Sequence, residues 1–212
     1  MTRDFEVLPR RDDELHHKAM SLRAFLGISK RFQYDLPSLI EEKLVGKNLK
    51  SIGVLKLVLL DQYKPKASVT FKHGECILTV ETEVWEFAKQ GDSESIFKLA
   101  HELGHLMLHN KHEQQFSEPK QSYVNFIKQD RSAETQANKF AAYFIAPRQY
   151  MRFCETHTDL NQSFNFPLAF ASFRLELHNR DQDRRPKMRC NDCSAEYSEY
   201  DSGDVGCPFC CH

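Results

Sequence analysis

Apolar residues first recur at helical spacing over residues 12–28, where Leu15, Ala19, Leu22 and Leu26, with Phe25 nearby, share one side. Asp35 is suited to cap a second helix, with Pro37 in its first turn and Leu36, Leu39, Ile40 and Leu44 as its apolar positions. The period then shortens. Residues 49–60, LKSIGVLKLVLL, are rich in β-formers and predict a strand, and residues 67–72 and 75–82 predict two more, joined by a turn at His73-Gly74. Helical spacing returns at Asp92 or Ser93 and lasts to about His109. Residues 110–130 are polar, contain Pro119 and read as a long loop with room for one short helix. Ser132 opens the next helix, with Glu134 in its first turn, and Pro147 ends it. Two shorter helices are expected over 148–180, then a charged linker over 181–186. The pattern predicts an α+β domain over residues 1–180, with a small three-stranded sheet among helices, and a separate module over 187–212.

The chemistry is concentrated in His101-Glu102-Leu103-Gly104-His105. Two histidines one turn apart on a helix can reach the same ion, and Glu102 beside them can take a proton from water activated by that ion. With His101 set at 0° and a step of about 100° per residue, His105 falls near 40° and Glu102 near 100°. Ile96, Leu99, Ala100, Leu103, Leu106 and Met107 fall between about 140° and 260°. The apolar stripe therefore faces away from the imidazoles, as expected of ligands and not of core histidines.

A catalytic zinc takes a third protein ligand and keeps a fourth position open. Glu134, 29 positions beyond His105, is the candidate if the intervening loop returns the next helix beside the first. An acid in a first helical turn is also favoured by the macrodipole alone. Asn138, one turn further on, is placed to accept a hydrogen bond from the far nitrogen of a ligand histidine. Ala133, Ala137, Phe140, Ala141 and Phe144 form the adjoining stripe, and its alanines permit a close approach of the two helices. His109, His112 and Tyr123 are candidates for stabilising an oxyanion, although each is more simply a surface residue. Cys76 and Cys154 are more simply small core residues than occupants of the open metal position, and Trp85 reads as packing. The 67–82 hairpin offers an edge to which an extended peptide could add as a strand.

Charge is balanced, with 29 Lys and Arg against 30 Asp and Glu, so no global affinity for polyanions is expected. The longest apolar run, Phe140–Ala146, is seven residues, too short for a membrane span. Arg3, Asp4, Glu6, Arg10 and Arg11 interrupt the first residues, which predicts a cytoplasmic protein without a secretory signal. Five of the seven cysteines fall in the last 23 residues. Cys190-x₂-Cys193 and Cys207-x₂-Cys210, 13 residues apart, have the spacing of a tetrahedral structural zinc site, although Cys211 and His212 are further donors. A module this short would draw most of its folding energy from the metal, so two zinc ions per chain are expected, one catalytic and one structural. Residues 187–212 carry a net −3, which favours a protein contact over nucleic acid. Arg180, Arg184, Arg185, Lys187 and Arg189 form the one local basic patch, more simply a solvated linker than a phosphate contact.

HELGHLMLH at 101–109, followed by the E-x-x-A-N-x-F-A-A-x-x-x-x-P run from Glu134 to Pro147, resembles the ImmA/IrrE-family metallopeptidases over roughly residues 12–180. The resemblance implies a thermolysin-like (zincin) arrangement, zinc on His101, His105 and Glu134, and Glu102 as general base. It implies as substrate a helix-turn-helix transcriptional repressor, cleaved to relieve repression after DNA damage or in mobile-element control. Zinc-ribbon-bearing members include the CapP-type regulators of anti-phage defence operons, which brings in single-stranded DNA as an activating signal. No helix-turn-helix is recognisable in this chain, so the repressor is expected to be a separate subunit. The competing readings are a non-cleaving, zinc-stabilised regulator that binds a repressor or senses single-stranded DNA, and a pseudo-enzyme with a blocked site. An intact Glu102 weighs against the first, since a purely structural metal site has no need of a base.

Overall fold

The computed structural model describes residues 4–49, 53–72, 75–109, 129–183, 187–189 and 196–198. Helix α1 (Asp12–Phe25) starts where the Arg11 N–H donates to the Glu14 carboxylate at 2.9 Å. It buries Leu15, Ala19 and Leu22, whereas Phe25 is 56% exposed, because the helix stops there and Gly27 turns the chain at φ 76°. Helix α2 (Leu36–Lys43) is capped by Asp35, whose carboxylate accepts from the Ser38 N–H at 3.1 Å.

Strands β1 (Val54–Leu60), β2 (Ala67–Lys72) and β3 (Glu75–Glu81) form a sheet in the order β1-β3-β2. β3 runs parallel to β1 and antiparallel to β2, with Leu78 opposite Leu57 on one side and Val69 on the other. β1 begins at Val54 and not at residue 49, since Leu49 N–H donates to the Gly53 carbonyl at 2.9 Å, with Gly53 at φ 100°. β3 alternates as a half-buried strand should, with Cys76, Leu78 and Val80 fully enclosed. The turn expected at His73-Gly74 lies outside the described residues.

A helix absent from the sequence pattern, α3 (Thr82–Lys89), follows β3 directly and buries Val84, Trp85 and Ala88, which bears out Trp85 as packing. Helix α4 (Ser93–Leu108) lies between the sheet and α5 (Ala133–Ile145). Both start at the expected caps: Asp92 accepts from Ser95 N–H at 2.8 Å, and Ser132 Oγ from Thr135 N–H at 3.0 Å. Leu99, Ala100 and Leu103 of α4 are fully buried. A Cβ built on Gly104 would stand 3.1 Å from both the Cα and the carbonyl oxygen of Ala137 and 3.2 Å from the Phe140 ring, so α4 and α5 meet nearly backbone to backbone.

Residues 148–180 hold a 3₁₀ segment (Arg148–Phe153), α6 (His157–Phe164) and a longer helix, α7 (Leu168–Asp183), where two short helices were expected. α7 continues through the first three residues of the expected 181–186 linker. Asp181 is the reason: it is 5% exposed, sits 2.7 Å from Arg148 Nη2 and accepts from the Tyr143 hydroxyl at 3.3 Å. The first residue of the expected linker is thus the buried partner of a buried arginine. α7 is further held by the Phe170 ring stacked on Phe97 at 4.1 Å and by Arg174 Nε donating to the Ala146 carbonyl at 2.9 Å.

The described residues make an α+β body of seven α-helices and a three-stranded sheet, compatible with a zincin-like core. A separate antiparallel pair, β4 (Lys187–Arg189) with β5 (Glu196–Ser198), brackets Cys190 and Cys193 in sequence. The four cysteines of the expected ribbon, Cys190, Cys193, Cys207 and Cys210, lie outside the described residues, as do His112, Tyr123 and residues 110–128. Among the described residues no helix is long and apolar enough to cross a membrane.

Candidate metal centre

α4 presents His101 and His105 toward α5, and the close approach at Gly104 brings Glu134, in the first turn of α5, against both imidazoles. Glu134 Oε2 lies 3.2 Å from His101 Nε2, and Oε1 lies 3.4 Å from His105 Nε2. The two Nε2 atoms are 3.0 Å apart. The donor atoms of these three residues all fall within 4.8 Å of one another. Asn138 Oδ1 is 2.8 Å from His101 Nδ1, the contact expected of it. With His101 Nδ1 engaged in this way, two imidazole lone pairs and a carboxylate face one point. A single divalent cation satisfies all three, whereas a single proton satisfies at most two. The set of two imidazoles and one carboxylate also suits zinc chemically.

Glu102 is 7% exposed, and its carboxylate accepts from the Val69 N–H of β2. Burial raises its pKa, partly offset by the charges of His101 and His105 and by that hydrogen bond. A carboxylate held above the ordinary range is suited to exchanging protons near neutrality. Glu134 is shifted the opposite way. Burial opposes its charge, but hydrogen bonding to His101 and His105 holds its carboxyl well below the usual carboxylate range. Burial likewise disfavours charge on His101, yet Glu134 and Glu102 outweigh it and raise its pKa.

The environment contains residues that sequence reasoning missed or misplaced. His109 is no surface residue: it is fully buried behind His105, with the two Nδ1 atoms 3.0 Å apart. Its Nε2 lies 3.2 Å from Gln136 Oε1. Burial, then the charge of His105, push its pKa down to about 3. The i, i+4, i+8 spacing of 101, 105 and 109 was the available signal, since it continues one helical face. Nothing in the sequence announced residues 4–10, which lie along the start of α5. There Glu6 forms an antiparallel bridge to Ser132, Val7 N–H donates to the Arg131 carbonyl at 2.8 Å, and Ala133 N–H donates to the Phe5 carbonyl at 3.1 Å. Asp4 accepts from Ser132 Oγ–H at 2.7 Å and from the Glu134 N–H at 3.2 Å. The Phe5 ring stands 6.5 Å from that of His105 and 5.8 Å from that of His109. Cys76 and Cys154 are buried core thiols outside the ligand group.

A cleft of about 540 Å³ opens between α5 and α7, with Thr135, Asn138, Phe173, Glu176 and Arg180 among its walls. Asn138, which lines it, meets His101 through Oδ1, whereas His101, His105 and Glu134 do not line it.

No curated protein matches the chain. The model of peptidase family M78, described as the IrrE N-terminal-like domain, matches residues 88–176. That span runs from the end of α3 into α7 and contains both ligand helices. Through these residues, which carry His101, Glu102, His105 and Glu134 together, the chain is similar to the ImmA/IrrE family of metallopeptidases.

Proposed function

We propose that this protein is a zinc-dependent, site-specific endopeptidase that cleaves a helix-turn-helix transcriptional repressor and so relieves repression in a DNA-damage or anti-phage response. The observation that carries the reading is the convergence of His101, His105 and Glu134 on one point, with the buried carboxylate of Glu102 beside them at the outer edge of β2. His101 and His105 through Nε2, and Glu134 through its carboxylate, would hold the ion. Bound zinc supplies Lewis acidity, polarising the scissile carbonyl and lowering the pKa of the attacking water. Glu102 takes the proton of that water on its carboxylate and returns it to the leaving amine.

β2 supplies orientation. In an antiparallel ladder, backbone groups point alternately toward and away from the partner strand. Val69 points its N–H at Glu102, away from β3, so Ala67 and Phe71 turn their backbone groups to the same outer edge. An extended peptide adding along this edge passes Glu102. The repressor as substrate, and single-stranded DNA as the activating signal, rest on the family resemblance. We assign Cys190, Cys193, Cys207 and Cys210 to a second, structural zinc in a separate module; the support is their spacing and the β4–β5 pair around the first knuckle.

The test is co-expression of the full chain with the repressor encoded beside it, comparing wild type with Glu102→Gln. A discrete repressor fragment is expected with wild type alone, while Glu102→Gln keeps the wild-type zinc content. Stable binding of an uncut repressor by both proteins would replace this reading with that of a non-cleaving regulator.

A further inference from the structure

An imidazole that binds metal through Nε2 keeps its proton on Nδ1, and that proton needs an acceptor. For His101 the acceptor is Asn138 Oδ1. For His105 the structure offers an atom that either accepts or donates, Nδ1 of His109, at 3.0 Å. What lies behind His109 settles which it does. Gln136 Nε2 is 2.9 Å from the Leu8 carbonyl and 2.7 Å from the Asp130 carbonyl. Both are acceptors only, so the amide nitrogen must lie on that side and Oε1 must face His109. Oε1 in turn only accepts, so His109 Nε2, 3.2 Å away, carries the proton. A neutral His109 then has a bare Nδ1, which accepts from His105 Nδ1–H.

On this basis, and resting on the metal site proposed above, we infer that His109 and Gln136 are positioning residues of the metal centre. Through a chain of hydrogen bonds anchored on the Leu8 and Asp130 carbonyls, they hold His105 protonated on Nδ1, with Nε2 bare toward His101 and Glu134. Neither residue touches the ion or the substrate. The anchor at Leu8 belongs to the segment that also sets Phe5 against the two imidazoles and Asp4 on the Glu134 N–H. The centre is thus braced from outside the two ligand helices.

The test compares His109→Leu with His109→Asn in the full-length protein. Leucine fills space without accepting a hydrogen bond; asparagine places Oδ1 close to where Nδ1 of histidine stands. Zinc affinity is read by competition with a chelator, counting only the equivalent that Glu134→Ala removes. The protonated ring nitrogen of His105 is read by ¹⁵N NMR of the zinc-free protein. His109→Leu is expected to weaken zinc binding by about 10- to 100-fold and to move the His105 proton toward Nε2. His109→Asn is expected to keep both close to wild type. Equal behaviour of the two variants, whether both unchanged or both impaired, overturns the positioning role and leaves His109 as packing. A wild-type His105 protonated on Nε2 overturns it without any variant. Absence of a Glu134-dependent zinc in the wild type overturns the metal site and this inference together, so the two failures are distinguishable.

Discussion

Arg23 is fully buried, and its guanidinium is spread over three backbone carbonyls. It donates to Phe144 at 2.7 Å, to Ile28 at 2.8 Å and to Arg31 at 2.5 Å, with the Tyr34 ring 5.5 Å away. Burial pulls its pKa below the ordinary value. The group thereby fastens the end of α1 to the end of α5. Arg23→Ala strands three carbonyls, and a loss of at least about 3 kcal/mol is expected, seen as a fall of roughly 6–12 °C in melting temperature. Arg23→Lys should recover less than half of it, because one ammonium cannot reach three divergent acceptors as the planar fork does. Full recovery with lysine would show that charge alone matters there. Arg23 also marks where sequence reading stops. His101, Glu102 and His105 were legible because helical spacing sets the two imidazoles on one face, and Glu134 and Asn138, one turn apart on the next helix, were candidates whose facing of the histidines came from the family resemblance. The partners of Arg23 and Gln136 are carbonyls up to 128 residues away, and no local pattern encodes them.

Both ligand helices were readable to within a residue or two, since Asp92 and Ser132 cap them and each follows an abrupt change of pattern. α3 was hidden, because its eight residues directly continue β3 without a turn residue between them. The expected closeness of the ligand helices was credited to alanines on α5, and half of it belongs to Gly104 on α4. Alanine at 104 would raise helix propensity by about 1 kcal/mol, yet its methyl would meet backbone atoms of Ala137 that cannot turn aside. Overpacking of this kind costs about 1–3 kcal/mol. Gly104→Ala should therefore change the melting temperature by only a few degrees while weakening zinc binding clearly, since α5 must move and Glu134 with it. Thermal denaturation and chelator competition on one preparation separate the two effects; unchanged zinc affinity would mean that α5 does not transmit the shift to Glu134.

The stability of the whole body carries an acid-sensitive contribution from His16 on α1. Burial first, then the neighbouring Arg148 and Arg174, push its pKa down to about 4, against the raising effects of Gln149 and Asp13. The unfolded chain takes up this proton as pH falls below about 6.5, and the folded protein does so only near 4. The contribution is whole above the unfolded value and is lost as pH falls from about 6.5 toward 4. His109 acts in the same sense. In zinc-containing buffer, the melting temperature should decline across this window, and His16→Gln should make the decline shallower without abolishing it. Identical slopes would assign the effect elsewhere. At this scale the α+β class was legible from the order of periodicities, whereas the role of residues 4–10 was not, because it exists only across the folded body. That segment also sets an order of events during synthesis. Residues 4–10 leave the ribosome well over a hundred residues ahead of α5, an interval of roughly 6–25 s at ordinary elongation rates. A growing chain therefore already displays its HELGH helix while Glu134, Gln136 and the groove for Phe5 do not yet exist. The centre closes only when residues 4–10 meet a helix made well over a hundred residues later, so a growing chain that has not reached the end of α5 carries no assembled centre.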